Sequence, residues 1–222
     1  MNNYLVATIK RWNVKKFWEK DLGGHWYLVD GREELTIETC KQINPRYIFF
    51  AHWSWMIPPE IYENYECVVF HPADLPDGRG SSLFQHRIKS GVYHTKVSAL
   101  KVTKGIDTGD IYIKRDFCMN GGGEEIYLRL ADLIFDEMIP EIVRNEPIPV
   151  PQVGKGTIFR RRTPEDSEIE TDNLNKLYDF IRMLDADTYP PAYIDYGNLR
   201  IEFTRASLKH DCILTDVKIR EQ

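Results

Sequence analysis

Cysteine is sparse and scattered. The 222-residue chain has four, Cys40, Cys67, Cys118 and Cys212, with no CxxC pair, which excludes a zinc knuckle or dithiol redox motif. Cys67 lies inside an apolar run, where a thiol acts as a small hydrophobe. No stretch reaches the roughly 20 apolar residues of a spanning helix, so no membrane is expected as a partner. The start, MNNYLVATIKRWN, has no cleavable apolar leader, and with unpaired thiols it points to a reducing cytoplasm. An excess of positive charge is also missing. Lys and Arg total 29 against 34 Asp and Glu, a net charge of -5, so broad attraction to phosphate backbones is disfavoured and nucleic acid is not an expected partner. What is present is globular: hydrophobic residues are 42% and aromatics 12%, enough at this length for a core without staples.

Apolar runs alternate with helical patterns. Tyr4 to Ile9 and Trp26 to Val29 read as buried strands, with a short helix between them over Val14 to Lys20. Arg32 to Ile43 has apolar residues at mostly helical spacing, ended by Asn44-Pro45 before the run Tyr47 to Ala51. A helix starting at Pro58-Pro59 and the run Cys67 to Phe70 continue the alternation. This predicts an α/β fold: a Rossmann-like, mostly parallel sheet with helices on both faces. Strands are expected over Val97 to Val102 and Ile111 to Ile113, then an amphipathic helix over Glu124 to Met138. Pro147, Pro149 and Pro151 alternate in an extended segment. It divides a main domain, residues 1–150, from a small α+β annex, residues 151–222.

Chemistry-bearing residues cluster around two loops. His71 ends an apolar run and enters HPADLPDGRGSS, where an imidazole can serve general acid or base work, or simply hydrogen-bond its own loop. Asp107 and Asp110 in GIDTGD are equally at home as turn formers. Neither loop identifies a function by itself.

Together they carry a resemblance. HPADLPDGRGSSLFQ, residues 71–85, is similar to the formyltransferase segment Asn-x-His-Pro-Ser-Leu-Leu-Pro-x-x-Arg-Gly ending in Gln. GIDTGDIYIK resembles that family's second signature, and MIPPEI, residues 56–61, its Ile-Leu-Pro-Pro-Glu-Ile stretch. The likeness covers residues 45–117, and FRRRTPEDSEI and IRMLDADTYPPAYI resemble the annex of sugar formyltransferases. One departure stands out: Val69 occupies the place of the family Asn, and valine donates no hydrogen bond. His52, Ser81, Ser82 and Gln85 are replacements by proximity, each with an ordinary reading as a polar loop or helix residue.

The resemblance implies 10-formyltetrahydrofolate as donor and His71 with Asp107 as the catalytic pair, with no metal. It places the pterin against Trp55, Met56 and Ile57 and against Lys104, Gly105 and Ile106. Trp53 and Trp55 are open to stacking on a flat ring or to core packing. Arg79, Ser81, Gln85 and Arg160 are the acceptor candidates. Arg79 alternatively braces its loop, and of Arg160-Arg161-Arg162 at most two can face one site, the default being a solvated face. The expected acceptor is the primary amine of a nucleotide-linked amino sugar, with the annex as the surface for a homodimer. Methionyl-tRNA, glycinamide ribonucleotide and a catalytically silent folate-binding homologue are the alternatives.

Overall fold

The computed structural model describes residues 2–222. Two compact units emerge. The first comprises the chain up to Arg79 with Lys96–Phe117 and Leu128–Ile158, and the second Gly80–Thr95, Cys118–Tyr127 and Phe159–Gln222.

In the first unit, β1 (Asn3–Ala7), α1 (Arg11–Glu19), β2 (His25–Val29), α2 (Ile37–Ile43), β3 (Pro45–Phe50), α3 (Pro59–Tyr62) and β4 (Cys67–His71) follow one another as strand-helix pairs. The predicted helix from Arg32 is split. Arg32–Glu34 forms a 3-10 turn, and Thr36 then caps α2 by accepting the Thr39 amide at 3.0 Å, because a hydroxyl there satisfies an orphan amide that continued helix would not need to cap. A six-stranded sheet runs in the order β2-β1-β3-β4-β6-β7, with β6 (His94–Lys101) and β7 (Ile111–Cys118). Between β4 and β6 the chain forms the short strand β5 (Arg79–Gly80) and helix α4 (Leu83–Lys89). β1, β2, β3 and β4 are parallel neighbours. Chain order moves one way from β1 to β2 and the other way from β2 through β3 to β4, so right-handed crossovers put α1 on one face and α2 and α3 on the other.

Leu5, Ile48, Phe49, Phe50 and Val68 are fully buried in the sheet. Each large apolar side chain removed from water contributes about 1.5–3 kcal/mol. At the carboxyl ends of β1 and β3, buried Asn13 donates to Thr8 Oγ1 at 3.0 Å and to the Ala51 carbonyl at 3.1 Å. This ties the loop after β3 to the loop after β1.

The loop carrying His71 leaves the carboxyl end of parallel strand β4, but the loop carrying Asp107 does not follow a parallel strand. β6 is antiparallel to β4, pairing Val68 with Lys101 and His71 with Ser98. Loop 102–110 therefore leaves at the Cys67 end of β4, where the Val102 amide donates to the Cys67 carbonyl at 2.9 Å, and folds back to reach His71.

The second unit holds α4, the first part of α5 (Gly123–Asp132) and the chain from Phe159 onward. α5 continues through a π-type turn, Leu133–Met138, into α6 (Ile139–Asn145) in the first unit. β8 (Ile158–Phe159) pairs with β5. α7 (Leu174–Arg182) is capped by Asn173, which accepts the Lys176 amide at 3.1 Å. It precedes a three-stranded antiparallel sheet in the order β11-β10-β9, from β9 (Ala192–Tyr196), β10 (Leu199–Leu208) and β11 (Ile213–Glu221). Among the described residues no helix is long and apolar enough to cross a membrane, and no group of His, Cys, Asp and Glu could hold a metal ion.

Candidate active site

His71 is the last residue of β4 and 7% exposed. Its Nε2 donates to the Gly78 carbonyl at 2.6 Å, and a carbonyl only accepts, so the proton on Nε2 is fixed. Nδ1 faces the Asp107 carboxylate at 3.6 Å. The ring therefore has one edge committed to the protein and one edge available for chemistry, beside a negative charge. At 3.6 Å the contact is electrostatic rather than a formed hydrogen bond.

The loop that follows β4 is pinned along its length. Ser98 Oγ donates to the Ala73 carbonyl at 2.6 Å, Lys114 Nζ reaches the Asp74 carboxylate at 2.6 Å and the Leu75 carbonyl at 2.5 Å, and the Gly78 amide donates to Thr157 Oγ1 at 2.9 Å. The Lys114 ammonium, more than any other group, holds the Asp74 carboxyl below the usual range. The Leu75-Pro76 peptide is cis. At Gly80, φ is +100° and an added Cβ would fall 2.2 Å from the Phe159 carbonyl oxygen, so no other residue fits the β5–β8 pairing.

Asp107 itself has φ 51°, a left-handed conformation that Asp tolerates better than most side chains. A residue that sequence reasoning missed holds it there. Gln152 Nε2 donates to the carbonyls of both Asp107 and Gly109 at 2.8 Å each, while its Oε1 accepts from Arg79 Nε at 3.2 Å and Nη2 at 2.7 Å. Arg79 thus braces its loop through a side-chain amide rather than through backbone carbonyls. No motif marks Gln152, whose partners lie 43 to 73 residues away; the one local signal is its place in the alternating-proline segment.

The two candidate folate segments sit in the loops after β3 and β6. Trp55 is 38% exposed, Met56 67% and Ile106 59%; Lys104 and Gly105 are exposed and Ile57 is half-buried. Trp53 and Ile57 pack with Val69 and Val102 against the apolar cluster that contains Leu5, Ile48 and Phe50. Trp53 also meets Trp55 edge to face at 5.1 Å. Its Nε1 is buried with no hydrogen-bond partner in the protein, a donor of the kind that a bound heterocycle satisfies.

Of the candidate replacements for the family Asn, Ser82 and Gln85 carry side-chain hydrogen bonds. Ser82 Oγ accepts the Arg162 amide at 3.1 Å, and Gln85, 2% exposed, donates to the Tyr127 hydroxyl at 3.0 Å. Ser81 is exposed, its amide donating to the Phe159 carbonyl at 3.1 Å. Arg160 is paired with Asp166, which also closes a capping box with Thr163. Arg162 is half-buried, with its guanidinium 5.7 Å over the Phe180 ring, and Arg161 is exposed.

His52 has φ 60° and keeps part of its surface accessible, but the depth of protein around the ring, and then the Lys10 ammonium, push it down to about 3. It is neutral at working pH. Since the unfolded chain binds a proton near pH 6.5 and the folded chain does not, stability from this group is complete above 6.5 and declines as pH falls toward 3. The slope is at most about 1.4 kcal/mol per pH unit. Urea unfolding between pH 7 and 4 should therefore be flatter in His52→Gln than in the wild type; parallel curves would contradict this assignment.

The formyl transferase family model matches residues 20–130, and the model for the C-terminal domain of methionyl-tRNA formyltransferase matches residues 164–220. Methionyl-tRNA formyltransferase of Rickettsia felis is 29% identical over 182 residues, 79% of this chain but 59% of the relative, so the chain spans little more than half the length of such proteins. The solved methionyl-tRNA formyltransferase of Clostridium thermocellum is 49% identical, covers 100% of both chains and superimposes with a TM-score of 0.97. A 4-N formyltransferase from Francisella tularensis covers 88% of this chain and 93% of its own at 15% identity and a TM-score of 0.67, a likeness of fold alone.

These findings overturn the amino-sugar acceptor and the exclusion of nucleic acid. The segments read as a sugar-enzyme annex fall largely within the methionyl-tRNA formyltransferase C-terminal match. Just before that match Arg160 is paired with Asp166, and within it Arg182 is buried against Asp179. Net charge could not carry that exclusion, because it sums over the chain and leaves the local surface undetermined. Matched over residues 20–130 by the family model, and 49% identical from end to end to a solved relative, this chain belongs to the formyl transferase family.

Proposed function

We propose that the protein transfers a formyl group from 10-formyltetrahydrofolate to the α-amine of methionyl-tRNA, in the cytoplasm. The observation that carries this reading is the 49% identity over the whole of both chains with the Clostridium thermocellum protein. The folate fits the residues present: Trp55, Met56 and Ile57 with Lys104, Gly105 and Ile106 would hold its ring system, and the partnerless Trp53 Nε1 offers it a donor. When bound, it supplies a formyl group on a nitrogen that leaves readily.

The chain's own part is proton management. Nδ1 of His71 accepts the proton that the amine loses on attack, and the Asp107 carboxylate at 3.6 Å stabilises the resulting imidazolium. Because Nε2 is spent on Gly78, the proton must also leave from Nδ1. Val69 adds nothing polar, so hydrogen bonding to developing negative charge falls to the protonated imidazole.

For the tRNA, a local basic surface exists in the second unit despite the acidic total. Phe159 is stacked on His86 at 5.0 Å and lies under Arg87 at 5.4 Å, with exposed Lys89 and Arg161 on the same two segments. Positive charge interleaved with an aromatic ring suits a nucleic acid.

Formylation of radiolabelled methionyl-tRNA, read on an acid gel with and without 10-formyltetrahydrofolate, tests the reading. Folate-dependent product is expected; free methionine should be ignored, and Lys89→Glu with Arg161→Glu should raise KM for tRNA without changing that for folate. Folate binding with no product on methionyl-tRNA would defeat the proposal. Gly109→Ala gives an independent check on the loop geometry. Its Cβ would lie 1.8 Å from the Lys101 carbonyl oxygen, so the segment carrying Asp107 must shift, and a displacement of about 1 Å costs on the order of 100-fold in turnover. Near-normal kcat in Gly109→Ala would show that the loop need not hold this shape.

A further inference from the structure

We infer that Gln152 is a positioning residue for the catalytic pair, an assignment that rests on the formyltransferase reading. His71 has two partners on two separate loops: Gly78 on its Nε2 edge and Asp107 on its Nδ1 edge. Gly78 is bonded through the chain to Arg79, and the Arg79 guanidinium grips Gln152 Oε1 with two donors. The amide NH2 of Gln152 then grips the carbonyls of Asp107 and Gly109. His71, Gly78, Arg79, Gln152 and Asp107 therefore form a closed ring of contacts within one compact unit. Every side-chain hydrogen-bonding position of Gln152 is used: two lone pairs on Oε1 and two hydrogens on Nε2.

The chemistry of the link admits few substitutes. One end must accept twice from a cation and the other must donate twice to carbonyls, which among uncharged side chains only a primary amide does. Asn has the chemistry but is one methylene short. Glu has the shape but presents a carboxylate to two carbonyl oxygens. The loop needs such a link because it leaves the sheet at the far end of β4 and holds Asp107 at φ 51°, so nothing in the β6–β7 ladder sets the distance to His71. Val150 pairs with Ile111 at 2.8 Å, and that bridge delivers Gln152 to its place two residues on.

The test compares Gln152→Glu and Gln152→Ala with the wild type, using 10-formyltetrahydrofolate and methionyl-tRNA. kcat should fall about tenfold or more while both KM values stay within about threefold. In an Asp107→Asn background, Gln152→Ala should cost less than about twofold further, because both changes act through one carboxylate. Multiplying effects, or a normal kcat in Gln152→Glu, would overturn the assignment. A second readout needs no turnover. With 15N-histidine labelling, Gln152→Glu should move the His71 Nδ1 resonance as Asp107→Asn does, whereas an unmoved Nδ1 rejects the link. If the wild type does not formylate methionyl-tRNA, the proposed function fails while this spectrum still decides the role of Gln152. Should Gln152→Ala lose its cooperative unfolding transition, Arg79→Lys breaks the same ring from the other side, since one ammonium cannot reproduce the two-donor fork, and the same outcomes apply.

Discussion

Replacing His71 by Asn is expected to lower kcat by about 100-fold or more while leaving folate affinity within a few-fold. The Nδ1 edge of the imidazole faces Asp107 and is the base of the proposed mechanism, and Asn keeps a donor for the Gly78 carbonyl but has no base to offer. Asp107→Asn should cost less, since at 3.6 Å the carboxylate acts on the charge of the ring and not on the transferred proton itself. The double variant should be little worse than His71→Asn, because two members of one proton-handling unit do not contribute independently. Single-turnover formylation with equilibrium binding of 5-formyltetrahydrofolate separates the two effects. Near-normal kcat in His71→Asn would require a different base, and His52, held neutral with its pKa near 3, is a poor one.

A large loss of stability is expected from Arg182→Met. Arg182 is 2% exposed; its Nε donates to Asp179 Oδ1 at 2.7 Å, and its Nη1 to the carbonyls of Met119 at 2.8 Å and Gly121 at 2.7 Å. The rings of Tyr93 and Tyr178 lie 5.2 and 5.5 Å from the guanidinium carbon, and the Tyr93 hydroxyl donates to Asp179 Oδ2 at 2.8 Å. Removing the cation strands a carboxylate that is 4% exposed and frees the buried Met119 carbonyl and the half-buried Gly121 carbonyl, a change that costs about 3–5 kcal/mol. Asp179→Leu with Arg182→Met should recover part of that, because an apolar pair of similar volume has no charge to desolvate. Urea denaturation decides the matter: a loss under about 1 kcal/mol in Arg182→Met would mean that Asp179 finds water or another partner.

The apolar runs around Leu5, Ile48 and Val68 revealed the parallel core because a strand buried on both faces needs a continuous hydrophobic stretch. The direction of β6 was not legible, since the run from Val97 reads the same whichever way its neighbour points. Thr36 broke a helix that the spacing of Leu35, Ile37 and Cys40 had suggested was continuous, a local hydroxyl outweighing periodicity. β9 lay hidden behind Pro190-Pro191. The motifs singled out His71 and Asp107 as a candidate pair, and the two stand 3.6 Å apart. Gln152 was not, because a glutamine in an extended segment acquires meaning only from distant partners. The amino-sugar reading leaned partly on a net charge of -5, which says nothing about how charge is distributed over the surface.

Every strand of the six-stranded sheet is complete by Cys118, yet the loops that carry His71 and Asp107 are held by residues much further along. Gln152 holds Asp107, Gly156 passes so close to Pro76 that an added Cβ would lie 2.3 Å from its carbonyl oxygen, and Thr157 accepts the amides of Gly78 and Arg79 at 2.9 Å each. A fragment cut after Val150 thus contains all six strand segments but none of these three contacts, whereas one cut after Ile158 contains them as well. Ordering His71 against Asp107 is therefore expected to need a longer chain than forming the sheet beneath them. Fragments 2–150 and 2–158 should accordingly differ in the 15N spectrum of His71 more than in their far-UV circular dichroism, and matching His71 spectra would show that the sheet alone suffices.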